Sequence, residues 1–240
     1  MAGISFFIYW FFFLRQPPPP PPPIVLKFCE IENQDIPEVE WAKERCVPPP
    51  DITIPPSLIA YDFVKDIEIA ESQEIPLRLT DLLNQELELN KTYWLVIKDT
   101  VKREVPTFEN FLNVFQAKTP EGLFLKLEPA FTLFIYNQEQ GKRLGMVVKI
   151  KEEEKENFRA QVRFWEDTME NDLAQFFALS GKTGPALKEN FGRIAFRGSD
   201  IRCQTFGEND FGSCYAIVNN NFIFTLSLES AKKAIEGLRL

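Results

Sequence analysis

Histidine is absent from all 240 residues. Its absence removes Ser-His-Asp and Cys-His triads, histidine general bases and every histidine-ligated metal site. Cysteine is scarce, with four residues, and the 27 basic side chains are outnumbered by 35 acidic ones, for a net charge of -8. That balance supplies no broadly basic face for tracking a phosphate backbone, so nucleic acid is not an expected partner. No apolar run reaches the roughly 20 residues that cross a bilayer as a helix. What is present is 45% apolar residues, enough for one globular core of ordinary domain size.

The nearest approach to a membrane segment is Ile4 to Leu14, in which Phe6, Phe7, Tyr9, Trp10, Phe11, Phe12 and Phe13 are aromatic and no charge precedes Arg15. Such a run suits a bilayer interface or core and is a liability in water. As a helix, Met1 to Leu14 measures about 21 Å at 1.5 Å per residue, short of the roughly 30 Å hydrocarbon core. Three readings stand: a transmembrane helix whose start lies upstream, the apolar stretch of a signal peptide, or an interfacial or buried helix. The absence of a small-residue cleavage site and of a basic leader favours the first. Residues 1–15 are therefore expected to be a membrane anchor whose partner is lipid.

Proline dominates the next segment. Thirteen of the 18 prolines precede Ser57, and Pro17 to Pro23 is unbroken. A run that fixes φ and lacks N–H groups is a polyproline II rod about 22 Å long. Pro48, Pro49, Pro50, Pro55 and Pro56 make a second stiff stretch, with an acidic segment too short for its own core between the two. Residues 16–57 read as a stalk, and 58–240 as the folded domain.

Two local cysteine pairs accompany this layout. Cys29 and Cys46 bracket the acidic segment; Cys203 and Cys214 bracket a stretch whose Gly207, Glu208, Asn209 and Asp210 resemble a hairpin tip. Pairing across that tip sets Cys203 opposite Cys214. Both pairs are candidate disulfides of an oxidising compartment; packed free thiols are the alternative.

Periodicity in the folded part predicts α+β with a largely antiparallel sheet packed by helices. Ile59 to Ile69 alternates as a half-buried strand, Thr92 to Lys98 is a second, and Phe131 to Tyr136 with Leu144 to Ile150 is a hairpin. Leu77 to Leu89 reads as a helix with Thr80 a potential cap, and Phe108 to Phe115 as a helix after Thr107. Phe158, Val162, Trp165, Met169, Leu173 and Phe176 recur at helical spacing, predicting one long helix. Two strands after Asp200, one at Phe222 to Leu226 and a helix capped by Ser227 close the chain, in the order β-α-β-α-β-β-α-β-β-β-α.

The hairpin Phe131-Thr132-Leu133-Phe134-Ile135-Tyr136 with Arg143-Leu144-Gly145-Met146-Val147-Val148, and the closing Tyr215-Ala216-Ile217-Val218, Phe222-Ile223-Phe224-Thr225 and Ser227-Leu228-Glu229-Ser230, resemble an uncharacterised bacterial membrane-anchored family. The resemblance implies a hydrophobic helix, a proline-rich stalk and an extracytoplasmic α+β domain. It carries no activity and no catalytic residues.

Chemical motifs are few. Ser180-Gly181-Lys182-Thr183-Gly184 has the end of a phosphate loop but Phe176 where its first glycine belongs, so it reads as an exposed linker. Glu152, Glu153, Glu154 and Glu156 compensate a helix N-terminus rather than gather a metal. Trp94 and Trp165 read as core. No cofactor, metal or catalytic residue is assigned. The expected function is a non-catalytic extracytoplasmic domain, held on a membrane by a single N-terminal anchor, that binds or assembles with envelope protein or polymer. The alternative is an envelope hydrolase using paired carboxylates.

Overall fold

The computed structural model describes residues 51–188 and 190–239, within a compact unit running from Asp51 to Leu240. The expected aromatic anchor, nearly all of the expected stalk, and the pair Cys29 and Cys46 lie outside the described residues.

Eight strands form one sheet: β1 (Phe63–Ile69), β2 (Lys91–Asp99), β3 (Leu127–Gln138), β4 (Gly141–Ile150), β5 (Gly192–Phe196), β6 (Ser199–Gly207), β7 (Phe211–Val218) and β8 (Asn221–Thr225). Their spatial order is β1-β2-β3-β4-β8-β7-β6-β5. Only β1 and β2 pair in parallel; every other neighbour is antiparallel. The chain thus starts at one edge, reaches β4, crosses to the far edge as β5, and returns inward until β8 closes against β4. This is α+β with a mostly antiparallel sheet packed by helices, the predicted class.

The parallel pair needs a crossover, which α1 (Ile75–Asn84) provides. Its N-terminus is held by Glu74, whose carboxylate accepts from the Ala70 and Glu71 N–H groups at 3.1 and 3.2 Å. Thr80 is not a cap: it lies inside the helix and its hydroxyl donates to Pro76 O at 2.8 Å. The helix begins earlier than its leucines suggest because Pro76 is pre-organised for a first turn. β1 is likewise shorter than the predicted strand, since Ile59 forms only an isolated bridge with Leu238. In α2 (Phe108–Val114), Thr107 caps as predicted, accepting from the Asn110 N–H at 3.2 Å.

The predicted long helix is three short ones: α3 (Lys155–Trp165), α4 (Met169–Asp172) and α5 (Ala174–Leu179). The break has a local cause. The Asp172 carboxylate accepts from Trp165 Nε1 at 2.9 Å and Thr168 Oγ1 at 2.6 Å, drawing the chain round after Trp165. The apolar stripe survives the break, with Phe158, Val162, Trp165, Met169, Leu173 and Phe176 all buried. They pack against Leu133, Ile135, Leu144, Met146, Val148 and Ile150 of the central hairpin in the main core.

The opposite face is covered by α6 (Leu228–Gly237), capped by Ser227, whose hydroxyl accepts from the Ser230 N–H at 3.0 Å. Its Ala234 packs with Phe134, Val147 and Ile223 of the sheet, and its Ala231 with Ile201, Cys214 and Ala216 next to them. Central strands are consequently buried on both sides, all five residues of β8 among them. Trp165 is core as expected; Trp94 is only half-buried, its ring 5.1 Å from that of Tyr61. One strand escaped the sequence reading: β5 is an edge strand with no buried residue, so it lacks the alternation that announces a strand.

Candidate anion-binding cleft

The register between strands lines up one residue from each across the sheet: Lys65, Leu95, Leu133, Met146, Phe224, Tyr215, Arg202 and Arg193. The middle of this row is apolar and lies under the helices. Beyond Tyr215 it turns cationic, towards the β5 edge. There a cleft of about 760 Å³ opens beside α3, with Arg193, Arg202 and Tyr215 from the sheet and Lys155, Arg159 and Arg163 from the helix. The three helical residues are four apart, so they share one face on successive turns. The turns at the strand ends add Gly198 and Asn219, and the start of β6 adds Ser199 and Asp200.

Five basic and one acidic residue line this cleft, whereas acids outnumber bases 35 to 27 in the whole chain. The charge is therefore sorted, not sampled. Two of the cleft's lining residues, Arg202 and Tyr215, are fixed by Glu166, just after α3. Arg202 donates to Glu166 through Nε at 2.7 Å and Nη2 at 2.5 Å, and the Tyr215 hydroxyl donates to the same carboxylate. The Arg202 and Glu166 side chains are only 16% and 12% exposed, respectively. A bidentate fork offsets the desolvation of both charges, and removing either partner from such a pair costs about 3–5 kcal/mol. The hydrogen bond to Glu166 raises the Arg202 pKa. Burial, followed by the same carboxylate, pushes the Tyr215 phenol well above its ordinary value. This triad ties the end of α3 to the sheet, and two of its members, Arg202 and Tyr215, line the cleft floor.

Towards solvent the cations are more loosely held. Arg159 pairs with Glu156 at 2.7 Å, Arg193 with Asp200 at 2.8 Å, and Arg163 reaches Glu166 at 3.7 Å. All three are about half-exposed or more, and exposed pairs of this kind contribute about 0–1 kcal/mol each. An incoming anion competes with them at small cost. The one carboxylate lining the cleft, Asp200, is itself ion-paired.

The predicted cysteine pair is formed: Cys203 and Cys214 are directly opposed in the β6–β7 register and joined by a disulfide. It lies on the α6 face, behind the sheet from the cleft. The tip between them is a turn in which Asn209 and Asp210 adopt positive φ. Asp210 is more than a turn residue. Its carboxylate accepts from the Leu228 and Glu229 N–H groups at 2.9 and 3.0 Å, docking the hairpin on the start of α6.

The glycine-rich stretch is largely exposed as expected, with Gly181, Thr183 and Gly184 at the surface, but Ser180 and Lys182 are not. The Lys182 side chain is 12% exposed and pairs with Glu170 at 2.8 Å, donates to Gly184 O at 2.5 Å and lies over the Phe206 ring. The buried Ser180 Oγ has no hydrogen-bond partner among the described residues, so the two side chains are not joined as nucleophile and base. Among the described residues, no group of three or more His, Cys, Asp or Glu is placed to hold a metal ion, and no helix is long and apolar enough to cross a membrane.

Sequence reasoning missed the cleft. The signal was the spacing Lys155, Arg159, Arg163 beside the apolar stripe; Arg193 and Arg202 join it only through the register of β5 and β6. No family model, no curated protein and no solved structure matches the chain.

Proposed function

We propose that this protein is a non-catalytic binding module of the cell envelope, held on a membrane by its aromatic N-terminal segment and displayed on a proline stalk outside the cytoplasm. The observation that carries the reading is the Cys203–Cys214 disulfide. Disulfides of this sort persist in oxidising compartments, whereas in most cytosols the corresponding thiols are kept reduced. The uncharged aromatic run and the stiff spacer behind it support the same arrangement. The resemblance to a membrane-anchored family with an extracytoplasmic α+β domain agrees with it. The binding role rests on the cleft, whose carboxylates are engaged by arginines rather than poised as a facing acid and base.

The test is thiol trapping in intact cells. A Cys29→Ser/Cys46→Ser variant isolates the hairpin pair. Cells are quenched with acid, alkylated without reduction and fractionated. The expected result is a membrane-associated protein with neither Cys203 nor Cys214 alkylated. Recovery in the soluble fraction, or alkylation of both thiols, overturns the reading.

A further inference from the structure

We propose that the cleft between α3 and the β5–β6–β7 edge is the binding site for a linear, non-aromatic polyanion, a chain of repeating oxyanions that threads along the helix. It deepens the reading above by naming the class of envelope partner.

The geometry begins with α3. Lys155, Arg159 and Arg163 succeed one another at four-residue steps, a rise of roughly 6 Å each. They form a ladder of positive charge about 12 Å long on one helix face. Arg193, on the edge strand across the cleft, supplies a second wall. Four of the five cations are arginine, whose planar fork matches a phosphate or carboxylate with two parallel hydrogen bonds. A ligand with a single anionic group would use only one rung. A chain carrying an oxyanion at every few bonds would use all of them, and a concave trough suits a chain better than a flat lipid surface.

The floor decides against bases. A single-stranded nucleic acid needs exposed aromatic rings on which to stack. The cleft's one aromatic, Tyr215, is buried, 3% exposed, and its hydroxyl is committed to Glu166. The floor is also pre-organised, because Glu166, Arg202 and Tyr215 are locked together before any ligand arrives. That leaves Lys155, Arg159, Arg163 and Arg193 to meet the ligand. Lys155 makes no ion pair among the described residues. The other three exchange weak surface pairs for the incoming oxyanions. The chain's net charge of -8 disfavours polyanions in general, against which the cation-lined trough stands out.

The experiment uses the full chain in neutral detergent micelles and measures binding of labelled probes over a range of salt. The probes are a synthetic glycerol-phosphate oligomer, a galacturonate oligomer, monomeric glycerol phosphate, oligothymidylate and anionic phosphatidylglycerol vesicles. One of the two oligomers should bind, identifying phosphodiester or carboxylate as the source of the oxyanions, and the monomer should bind far more weakly. Treated like a single-stranded polyelectrolyte, four neutralised charges give a slope of log affinity against log salt of about -3. In Lys155→Gln/Arg159→Gln/Arg163→Gln the slope should flatten to about -1, and with affinities converging near about 1 M salt, affinity at about 0.1 M salt should fall about a hundredfold. Arg159 and Arg163 are exposed, and the weak pairs they make with Glu156 and Glu166 contribute about 0–1 kcal/mol each, so the variant should keep a thermal midpoint close to that of the wild type. Failure of both oligomers to bind overturns the proposal. So does binding that the triple variant leaves intact, or tighter variant-sensitive binding of oligothymidylate or of the vesicles. If the oligomers fail while Cys203 and Cys214 are oxidised in membrane-bound protein, the site alone is lost; if they bind while the thiols are free in cells, the envelope reading is lost and the site stands.

Discussion

Gly145 offers a sharp test of the second core. It faces Phe134 across the β3–β4 pair, and a Cβ added there would lie 2.2, 2.5 and 2.8 Å from three carbons of the Phe134 ring. Carbon atoms pack at about 3.5–4.0 Å, so the ring would have to retreat by more than about 1 Å. It has little room: Phe134 is fully buried among Ile59, Val147, Ile223 and Ala234 beneath α6. Overpacking of this kind costs about 1–3 kcal/mol. Replacing a strand glycine with alanine returns up to about 1 kcal/mol of chain entropy. Gly145→Ala should therefore lose about 2 kcal/mol. Phe134→Ala alone should lose about 3–5 kcal/mol through the cavity it leaves. In that background the added methyl group enters vacated space, so Gly145→Ala becomes neutral or stabilising, a coupling of about 2–3 kcal/mol. Urea unfolding of the four proteins, monitored by tryptophan fluorescence, measures every corner of the cycle. Gly145→Ala as stable as the wild type, or equally damaging with and without the Phe134 ring, would refute the reasoning.

Three more outcomes are expected of the same structure. Trp165→Ala removes a ring that is 4% exposed and orphans part of Asp172, so it should cost about 3–5 kcal/mol; a loss under about 1 kcal/mol in the same unfolding assay would detach the α3 stripe from the core. Cys203→Ala/Cys214→Ala opens a loop with a sequence separation of 11 and should lower stability by about 2.5–3 kcal/mol, whereas an unchanged unfolding midpoint would show that the crosslink constrains nothing. Tyr215, its phenol raised chiefly by burial, holds its proton more tightly folded than unfolded. Its contribution is complete below the ordinary phenol value of about 10 and is lost as pH climbs above it. Tyr215→Phe should remove that extra alkaline loss; an identical decline from pH about 10 upward in variant and wild type would contradict it.

Local patterns were enough for most elements. Thr107 and Ser227 are N-caps because their hydroxyls satisfy N–H groups within their own first turns, an interaction that a few consecutive residues define. The β3–β4 hairpin and the opposition of Cys203 to Cys214 came from alternation on either side of a turn, since strand register is set by the turn itself. The class of fold came from the order of those elements. The break after Trp165 was not legible, because Asp172 gathers two side-chain donors only once the chain has turned. Nor was β5, whose residues bury nothing and are a strand only by pairing with β6.

The division holds at the cleft as well. Composition alone excluded histidine chemistry and assigned the aromatic run and the prolines their character, because those are properties of residue types and short stretches. The sequence also contained the Lys155, Arg159, Arg163 ladder, fixed by the helical repeat. Placing Arg193 and Arg202 opposite it required the crossover from β4 to the far sheet edge and the antiparallel register that carries one row of residues from Leu133 to Arg193. Contacts between segments this distant in the chain depend on which strands become neighbours, and only tertiary structure decides that.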